Sequence, residues 1–224
     1  MPATSIDANK PSLKPRSLVR SALRKINDLR CKTWDLRHGV ETSGEIPLAA
    51  FDFKSDHKEP GLQYHSHHPK ILRQILSAVD IEHERYTFVD YGCGKGRVLL
   101  VAAESSFRRI IGIEFVPQLA EIARRNLKNY RGLTKCRDMT VITGDATDYE
   151  LPAEPEILFF YSPFTGTVME KVVGKVEDSL RRSPRDLFVL FTGVPIMRER
   201  AFGSRPHFKR LRRGRYFDVY RYLP

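Results

Sequence analysis

The chain has 224 residues, of which 41% are hydrophobic and 29% charged, a composition typical of a globular domain with a sizeable core. It contains no apolar run of about 18 residues, which excludes a membrane-spanning helix, and no apolar core of a secretory signal near its start. The three cysteines, Cys31, Cys93 and Cys136, are widely spaced. Their odd number and spacing exclude a disulfide scaffold and predict a reducing, cytoplasmic location.

The net charge of +11 is concentrated at the two ends of the chain. Residues 1–37 carry a charge of +6 and residues 196–224 carry +7, whereas the stretch between them is slightly negative. Basic ends of this kind are candidates for contact with nucleic acid, an acidic protein or an anionic membrane surface, and they also simply keep a protein in solution. The charge pattern therefore leaves the partner open.

The first predicted elements form an N-terminal extension. Residues 1–16 are polar and interrupted by three prolines, so we expect a mobile basic tail. From Ser17 to Leu29 apolar residues recur at helical spacing, which predicts an amphipathic helix with a basic face. Glycines and prolines interrupt the rest of the segment 17–63, which we expect to be irregular.

The segment 64–224 alternates between helical and strand-like patterns. A helix is predicted to open within residues 64–69 and to continue to Val79. Short apolar runs then predict five buried strands, at 86–91, 109–114, 139–142, 157–161 and 187–192. Helical patterns lie between these strands, at 95–104, 116–130 and 167–181. Strands that alternate with helices predict a doubly wound, mostly parallel sheet covered on both faces.

The end of the chain has a different pattern. The stretches 207–211 and 216–222 alternate in character on either side of the turn at 212–215, which predicts an antiparallel hairpin. A doubly wound sheet that closes with such a hairpin narrows the choice of fold considerably.

The strongest chemical signal is a glycine-rich loop between the first of these strands and the helix after it. Glycines at every second position, Gly92, Gly94 and Gly96, let the backbone turn sharply and approach a ligand. The spacing matches neither the dinucleotide fingerprint G-x-G-x-x-G nor the phosphate loop, which argues against an NAD-linked enzyme. Asp90, at the strand end, would repel a pyrophosphate but is suited to holding an amino group.

Two further acids follow the ends of the next two strands. Glu114 closes an apolar strand 18 residues after Gly96, where a carboxylate is suited to accept both hydroxyls of a ribose. Asp145 follows the third strand and is suited to accept a hydrogen bond from the exocyclic amine of adenine. The alternative for Glu114 is an ordinary exposed glutamate at a strand end.

These motifs together resemble the class I S-adenosylmethionine-dependent methyltransferases. The resemblance covers residues 64–224 and lies in D-x-G-x-G-x-G, the acid after the second strand, Gly-Asp-Ala after the third and the closing hairpin. It implies an α/β fold with a Rossmann-like, doubly wound, mostly parallel seven-stranded sheet, a C-terminal antiparallel hairpin and an N-terminal helical extension. It also implies S-adenosyl-L-methionine as the cofactor and no metal.

The resemblance assigns roles to individual positions. Asp90, Gly92 and Gly94 would line the methionine side of the cofactor, and Tyr64 would close the pocket from the N-terminal side. The whole set that it places at the cofactor is Tyr64, Asp90, Gly92, Cys93, Gly94, Glu114, Phe115, Asp145 and Ala146. The variant Asp90-Tyr-Gly-Cys-Gly-Lys-Gly-Arg97 is similar to a bacterial group of mostly unassigned substrate, and its D-x-G-x-G-K-G core to the non-SET histone lysine methyltransferases.

The acceptor side of the resemblance lies at the end of the fourth strand. Tyr161-Ser162-Pro163-Phe164 resembles the N-P-P-[FY] motif of amino-group methyltransferases, which implies that these four residues hold the acceptor. Ser162 replaces the Asn and only one Pro is present, which argues against an exocyclic base amine. A serine hydroxyl still accepts one hydrogen bond, so a protein lysine or another amine is favoured.

Two alternatives remain for the function. An RNA or small-molecule methyltransferase would be favoured if the basic residues of 198–215 lie beside the cofactor crevice. A protein that binds the cofactor without catalysis and acts through contacts of its basic ends is the alternative of another class. The sequence leaves the oligomeric state open.

Two further features have structural explanations. The histidine-rich stretch with His57, His65, His67 and His68 is a candidate for metal binding, but no zinc-ligand spacing accompanies it, and a polar loop before a helix explains it. Cys93 resembles a thiol nucleophile at a helix N-terminus. No histidine shares a motif with it, so we interpret Cys93 as a small residue that fills the loop.

Overall fold

The structure, a computed structural model, describes residues 15–44, 46–47, 63–64, 67–161 and 166–224. Its helices and strands are α1 (Pro15–His38), β1 (Ile46–Pro47), β2 (Gln63–Tyr64), α2 (Pro69–Leu76), β3 (Thr87–Tyr91), α3 (Arg97–Ala102), β4 (Arg109–Glu114), α4 (Pro117–Asn129), β5 (Met139–Thr143), β6 (Glu156–Tyr161), α5 (Gly166–Arg182), β7 (Leu187–Thr192), α6 (Pro195–Arg198), β8 (Phe208–Arg213) and β9 (Phe217–Tyr222). A single π-helical turn, Glu199–Gly203, follows α6. Among the described helices, none is both long and apolar enough to cross a membrane.

Seven of the described strands form one sheet in the order β5-β4-β3-β6-β7-β9-β8. The pairs from β5 to β7 are parallel, whereas β9 runs antiparallel to both of its neighbours. The predicted doubly wound sheet with a C-terminal antiparallel hairpin is therefore confirmed. The strands β1 and β2 form a separate two-stranded antiparallel pair.

Alternate residues of each central strand enter two different hydrophobic clusters, because successive side chains point to opposite faces of a sheet. Phe88 and Phe159 pack on the face covered by α2, α3 and α4, which we call the α3 face. Val89 and Phe160 pack on the other face, which α5 and the π-helical turn cover. Both faces are covered, which is why β3, β6 and β7 are apolar almost throughout.

Several predicted elements differ from the observed ones. The helix that was predicted to continue to Val79 is α2, which ends at Leu76. The strand predicted to be buried at 139–142 is β5, in which Ile142 is 37% exposed and only Val141 is buried, because β5 lies at the edge of the sheet. The helix predicted at 95–104 is limited to Arg97–Ala102, because Gly96 has a left-handed backbone that cannot belong to a helix.

The helix α1 continues to His38, beyond the point where an irregular segment was expected. The helix extends this far because tertiary packing stabilises its last part, in which Trp34 and Asp35 are buried. The Trp34 ring stacks on His38, with ring centroids 4.4 Å apart, and packs against Tyr130 at the end of α4. The end of α1 is thereby fixed to the sheet-bearing part of the chain.

Candidate functional site

The glycine loop after β3 curls over the end of β4. Gly92, Gly94 and Gly96 have φ values of 79°, 54° and 83°, a region that residues with a Cβ rarely adopt. This geometry turns the amides of Gly92 and Cys93 toward one acceptor, the carbonyl oxygen of Ile113, at 2.9 Å each. The alternate glycines are therefore required by the path of the loop.

Glu114 receives the next amide of the loop. Its Oε2 accepts from the amide of Gly94 at 2.7 Å and its Oε1 from that of Val116 at 2.8 Å. The side chain is 6% exposed, and burial raises the pKa of Glu114, while these amides oppose the rise. Each carboxylate oxygen keeps a second lone pair, so the group retains the capacity to accept a pair of hydroxyls.

Asp90 supplies a second buried carboxylate at the same edge. It is 1% exposed, and within the described residues its Oδ2 has no hydrogen-bond partner. Burial raises the pKa of Asp90 well above its ordinary range, and the neighbouring Glu114 raises it further. Counting alternate residues from Phe88 and Ile110 places Asp90 and Glu114 on the α3 face. A buried, unsatisfied acceptor of this kind calls for a donor from a ligand.

The turn after β5 holds the predicted adenine-side residues. Asp145 Oδ1 accepts from the backbone amide and the hydroxyl of Thr147, at 2.7 and 2.8 Å, which fixes the turn. A Cβ added to the adjacent Gly144 would meet no atom within 4 Å, so there is open space beside the turn. Ala146 is buried in the hydrophobic cluster on the sheet face that α5 covers. Phe115 follows β4 and is half-buried.

Cys93 packs beneath the loop. It is 5% exposed, and a Cβ on the facing Gly112 would lie 2.7 Å from its sulfur and 2.6 Å from Leu99 Cδ1. Burial raises the pKa of the Cys93 thiol well above its ordinary value. The residue is therefore a neutral packing group at physiological pH, and a nucleophilic role does not fit its surroundings.

Arg97, which the sequence reasoning left without a role, binds the N-terminal segment to the loop. Its Nε donates to Thr42 Oγ1 at 2.6 Å, and its Nη2 donates to Ser43 Oγ at 2.7 Å and to Asp35 Oδ1 at 3.2 Å. The third nitrogen, Nη1, donates to the carbonyl oxygen of His67 at 3.2 Å. The guanidinium is 1% exposed and thus joins three parts of the chain in the interior.

Residues 40–44, which we call the strap, lie beside the loop through further contacts. Lys95 Nζ donates to the carbonyl oxygen of Ser43 at 3.0 Å. Asn126 of α4 donates to the carbonyl oxygens of Glu41 and Lys95, at 3.0 and 2.9 Å, and accepts from the Glu41 amide. Lys95 and Arg97 therefore hold the strap against the loop. Their position is itself a signal, because the positive end of the helix dipole disfavours a cation that has no polar partner.

The predicted acceptor side begins with Tyr161, the last residue of β6. Its ring stacks on His67 with centroids 4.1 Å apart, and His67 Nε2 lies 3.4 Å from Thr192 Oγ1 at the end of β7. Burial raises the pKa of Tyr161 to about 12, so the phenol stays protonated. His67 lies in the loop before α2, where a polar loop was predicted, and the tertiary structure places its ring on Tyr161.

Several predicted residues have no described side chain. Ser162, Pro163 and Phe164 lie outside the described residues, as do His57 and His65 of the histidine-rich stretch. Tyr64 is described only through its backbone in β2. Their roles stay predictions, and Tyr161 is the member of the predicted acceptor motif that has a described position. Within the described residues no three His, Cys, Asp or Glu side chains are grouped as metal ligands.

Comparisons with known proteins concern the same region. Residues 88–182 match the family described as methyltransferase domain, and no curated protein matches the chain. A candidate methyltransferase from Pseudomonas syringae is 15% identical over 68% of this chain and 96% of that chain, with a TM-score of 0.50. A candidate methylase from Haemophilus influenzae is 13% identical over 69% and 98%, also with a TM-score of 0.50.

A third solved structure is an RNA methyltransferase from Salinibacter ruber in complex with S-adenosyl-L-homocysteine, 19% identical over 68% of this chain and 89% of that chain, with a TM-score of 0.45. At such identities the likeness to these three structures concerns the fold alone. Residues 88–182 thus match a methyltransferase domain, and they lie within a Rossmann-like, doubly wound sheet.

Proposed function

We propose that this protein transfers a methyl group from S-adenosyl-L-methionine to a nitrogen acceptor. One observation carries the proposal: Asp90, with its unpartnered Oδ2, and Glu114 lie on one face at the carboxyl ends of β3 and β4, beneath the loop of alternate glycines. This is the place where open α/β sheets bind ligands. Both groups are acceptors, which suits a ligand that presents an amino group and ribose hydroxyls.

The residues present fit the cofactor. Glu114 would accept from the ribose hydroxyls, Asp90 from the amino group on the methionine side, and Asp145 from the adenine amine. Gly92, Cys93 and Gly94 would contribute the close approach of their backbone, while Phe115 and Ala146 would flank the base and Tyr64 would close the pocket. When bound, S-adenosyl-L-methionine supplies an electrophilic methyl group on a sulfonium. The open space beside Gly144 leaves room for a ring next to Asp145.

The chain's own residues would mainly position the acceptor. Methyl transfer is an in-line displacement, so alignment of the two reactants supplies much of the rate. The Tyr161 ring is held by its stacking on His67, and we propose that it forms one wall of the acceptor site together with Ser162, Pro163 and Phe164. An apolar wall lowers the pKa of an amine and so favours its neutral, nucleophilic form.

Two classes of acceptor remain, and one observation bears on the choice. The Ser162-Pro163-Phe164 sequence favours a protein lysine or another amine. The basic hairpin β8–β9, however, lies beside the carboxyl end of β7, where the Gly193 amide donates to the carbonyl oxygen of Tyr216 at 3.4 Å. Basic residues at this edge of the sheet favour RNA as the acceptor. RNA is therefore the second candidate for the acceptor.

Calorimetric titration with S-adenosyl-L-homocysteine tests the proposal, with NAD as the control ligand. We expect micromolar binding of S-adenosyl-L-homocysteine and none of NAD. An intact protein that binds neither would overturn the proposed cofactor site. Tight binding without methyl transfer to any amine or RNA would instead support the non-catalytic alternative, in which the protein acts through its basic ends.

A further inference from the structure

The residues 209–217, which we call the hairpin tip, contain five basic side chains and no acidic one. Resting on the methyltransferase function proposed above, we infer that the hairpin tip binds the phosphates of single-stranded RNA, so that an unpaired nucleotide of the same strand reaches Tyr161. The placement of the tip, its charge and its exposed rings each contribute to this inference.

The hairpin tip lies at the same edge of the sheet as the glycine loop. Because β8 runs in the direction of the parallel strands, its end and the turn to β9 are at their carboxyl ends. Tyr161 pairs with Thr192, and Thr192 pairs with Phe217. Adjacent strands are about 4.8 Å apart, so the backbones of Tyr161 and Phe217 are separated by about 10 Å.

These three residues also share one face. Tyr161 and Phe217 both pack against the cluster on the α3 face, and Thr192 lies two residues after Leu190 of that cluster. The guanidinium of Arg212 lies over the Phe217 ring, 5.5 Å from its centroid. A cross-strand row therefore leads from Tyr161 through Thr192 and Phe217 to Arg212. A nucleotide or two of extended strand would span this distance.

Most cations of the hairpin tip have no ion-pair partner among the described residues. Arg198 forms a buried ion pair with Asp218, and Arg210 is paired with Glu199. In contrast, no carboxylate of the described residues forms an ion pair with the remaining cations of the tip, which are Lys209, Arg212, Arg213 and Arg215. All four are exposed. They provide exposed cations that can bind phosphates, and phosphate contacts dominate the affinity of proteins for nucleic acid.

Exposed apolar groups accompany the charge and distinguish a binding surface from a protected sheet edge. Lysine and arginine on an edge strand discourage aggregation, which explains the charge of β8. That role does not require the exposure of Tyr216 (53%), Leu211 (50%) and, beyond β7, Val194 (54%) and Ile196 (57%). The guanidinium of Arg215 lies over the Tyr216 ring, 5.2 Å from its centroid, so two planar groups lie together at the surface.

Exposed planar side chains suit unpaired bases better than a double helix. Rings and guanidinium planes stack on the faces of bases, which are accessible only in a single strand. RNA is the nucleic acid whose loops and ends are recognised with their bases splayed out. We therefore commit to single-stranded RNA.

The test measures binding of a short, fluorescently labelled, mixed-sequence single-stranded RNA to the full chain at several salt concentrations. The tip variant replaces Arg212, Arg213 and Arg215 with Gln, and the matched control replaces the exposed Arg85, Arg181 and Arg182 with Gln. We expect the tip variant to bind roughly tenfold more weakly or worse, with a salt dependence lower by about 2 in the slope of log K against log salt. We expect the control to bind as the wild type does.

Several results would overturn the inference. These are wild-type affinity in the tip variant, an equal loss in the control, equal binding of single-stranded DNA, or displacement of the RNA by polyglutamate at equal charge. Calorimetry with S-adenosyl-L-homocysteine distinguishes failure of the RNA inference from failure of the methyltransferase proposal. If the wild type binds this ligand but not RNA, only the inference fails, whereas absence of ligand binding contradicts the methyltransferase proposal itself. The tip variant is expected to bind S-adenosyl-L-homocysteine as the wild type does.

Discussion

The guanidinium of Arg97 forms an ion pair with the carboxylate of Asp35, with Nη2 3.2 Å from Oδ1 and both side chains buried. Arg97 is the first residue of α3, directly after the glycine loop, and Asp35 lies near the end of α1. Asp35 Oδ2 also accepts from the amides of Thr42 and Ser43, at 2.8 and 2.6 Å. One buried pair therefore joins α1, the strap and the loop that we assign to the cofactor.

Replacing Asp35 with Ala is expected to lower the free energy of unfolding by about 3–5 kcal/mol, since the guanidinium of Arg97 is left buried without a countercharge. Urea denaturation followed by circular dichroism measures the loss. Asp28→Ala is the matched control, because Asp28 is exposed on the same helix and its loss should cost under about 0.5 kcal/mol. A wild-type denaturation midpoint for Asp35→Ala would show that the pair does not hold these elements together.

Replacing Glu114 with Ala is expected to weaken binding of S-adenosyl-L-homocysteine roughly 10- to 100-fold, the loss typical of hydrogen bonds to a charged group. Calorimetric titration gives the affinity. Glu121→Ala, an exposed change on α4, should bind as the wild type does. Because Glu114 also holds the amides of Gly94 and Val116, Glu114→Gln serves as a second variant that keeps one acceptor oxygen. Unchanged affinity in both Glu114 variants, with intact folding, would contradict the ribose role.

The three cysteines are expected to resist alkylation in the native protein. Cys31, Cys93 and Cys136 are buried, and burial raises the pKa of each thiol, most strongly that of Cys93. Iodoacetamide labelling at neutral pH, read by mass spectrometry, should modify them only after denaturation, which provides the positive control. Rapid labelling of Cys93 that S-adenosyl-L-homocysteine prevents would show instead that its sulfur faces the ligand.

The stability is expected to depend on pH through Glu156. Burial raises the pKa of Glu156 from an ordinary value of 4.5 to about 7. The hydrogen bond from Arg185 opposes this rise. The folded state therefore binds the proton more tightly than the unfolded chain. This contribution to stability is fully present below pH 4.5 and is lost as the pH rises through 7, with an amplitude on the order of 3 kcal/mol.

Comparison of wild type with Glu156→Gln in urea, as a function of pH, isolates this group from others that titrate in the same range. The amide cannot ionise, so the difference in unfolding free energy between the two proteins should change between pH 4.5 and 7 and be constant below that window. Glu82→Gln is the control, since the Glu82 side chain is 78% exposed. A difference that stays constant across the window would show that Glu156 is ionised throughout in the folded protein.

The sequence predicted those parts of the fold and site that depend on local pattern. The apolar runs located β3, β4, β6 and β7, and the alternate glycines located the loop, because both properties are written in consecutive residues. Glu114 and Asp90 were predicted to lie at strand ends, and the structure places Glu114 as the last residue of β4 and Asp90 as the last but one of β3. The hairpin was identified from alternation, with bounds one to two residues away from those observed.

Contacts between distant segments were not predictable in this way. Nothing in the residues around Arg97 indicates that its partner is Asp35, 62 positions earlier, because the pair forms only when α1 packs beside α3. The position of His67 over Tyr161 likewise depends on the path of the chain before α2. The exposure of β5 follows from its place at the edge of the sheet, which a local apolar pattern does not report.

The strand order has a consequence for folding during synthesis. β9 lies between β7 and β8, yet it follows both in the chain, so β8 has no partner until β9 has left the ribosome. Until then β7 is an unpaired edge strand rich in Phe, Val and Leu. Phe202 and Phe208 also lack Tyr220, the member of their hydrophobic cluster that β9 contributes. A nascent chain stalled before Phe217 would therefore expose an aggregation-prone edge strand, to which chaperones or neighbouring chains would bind.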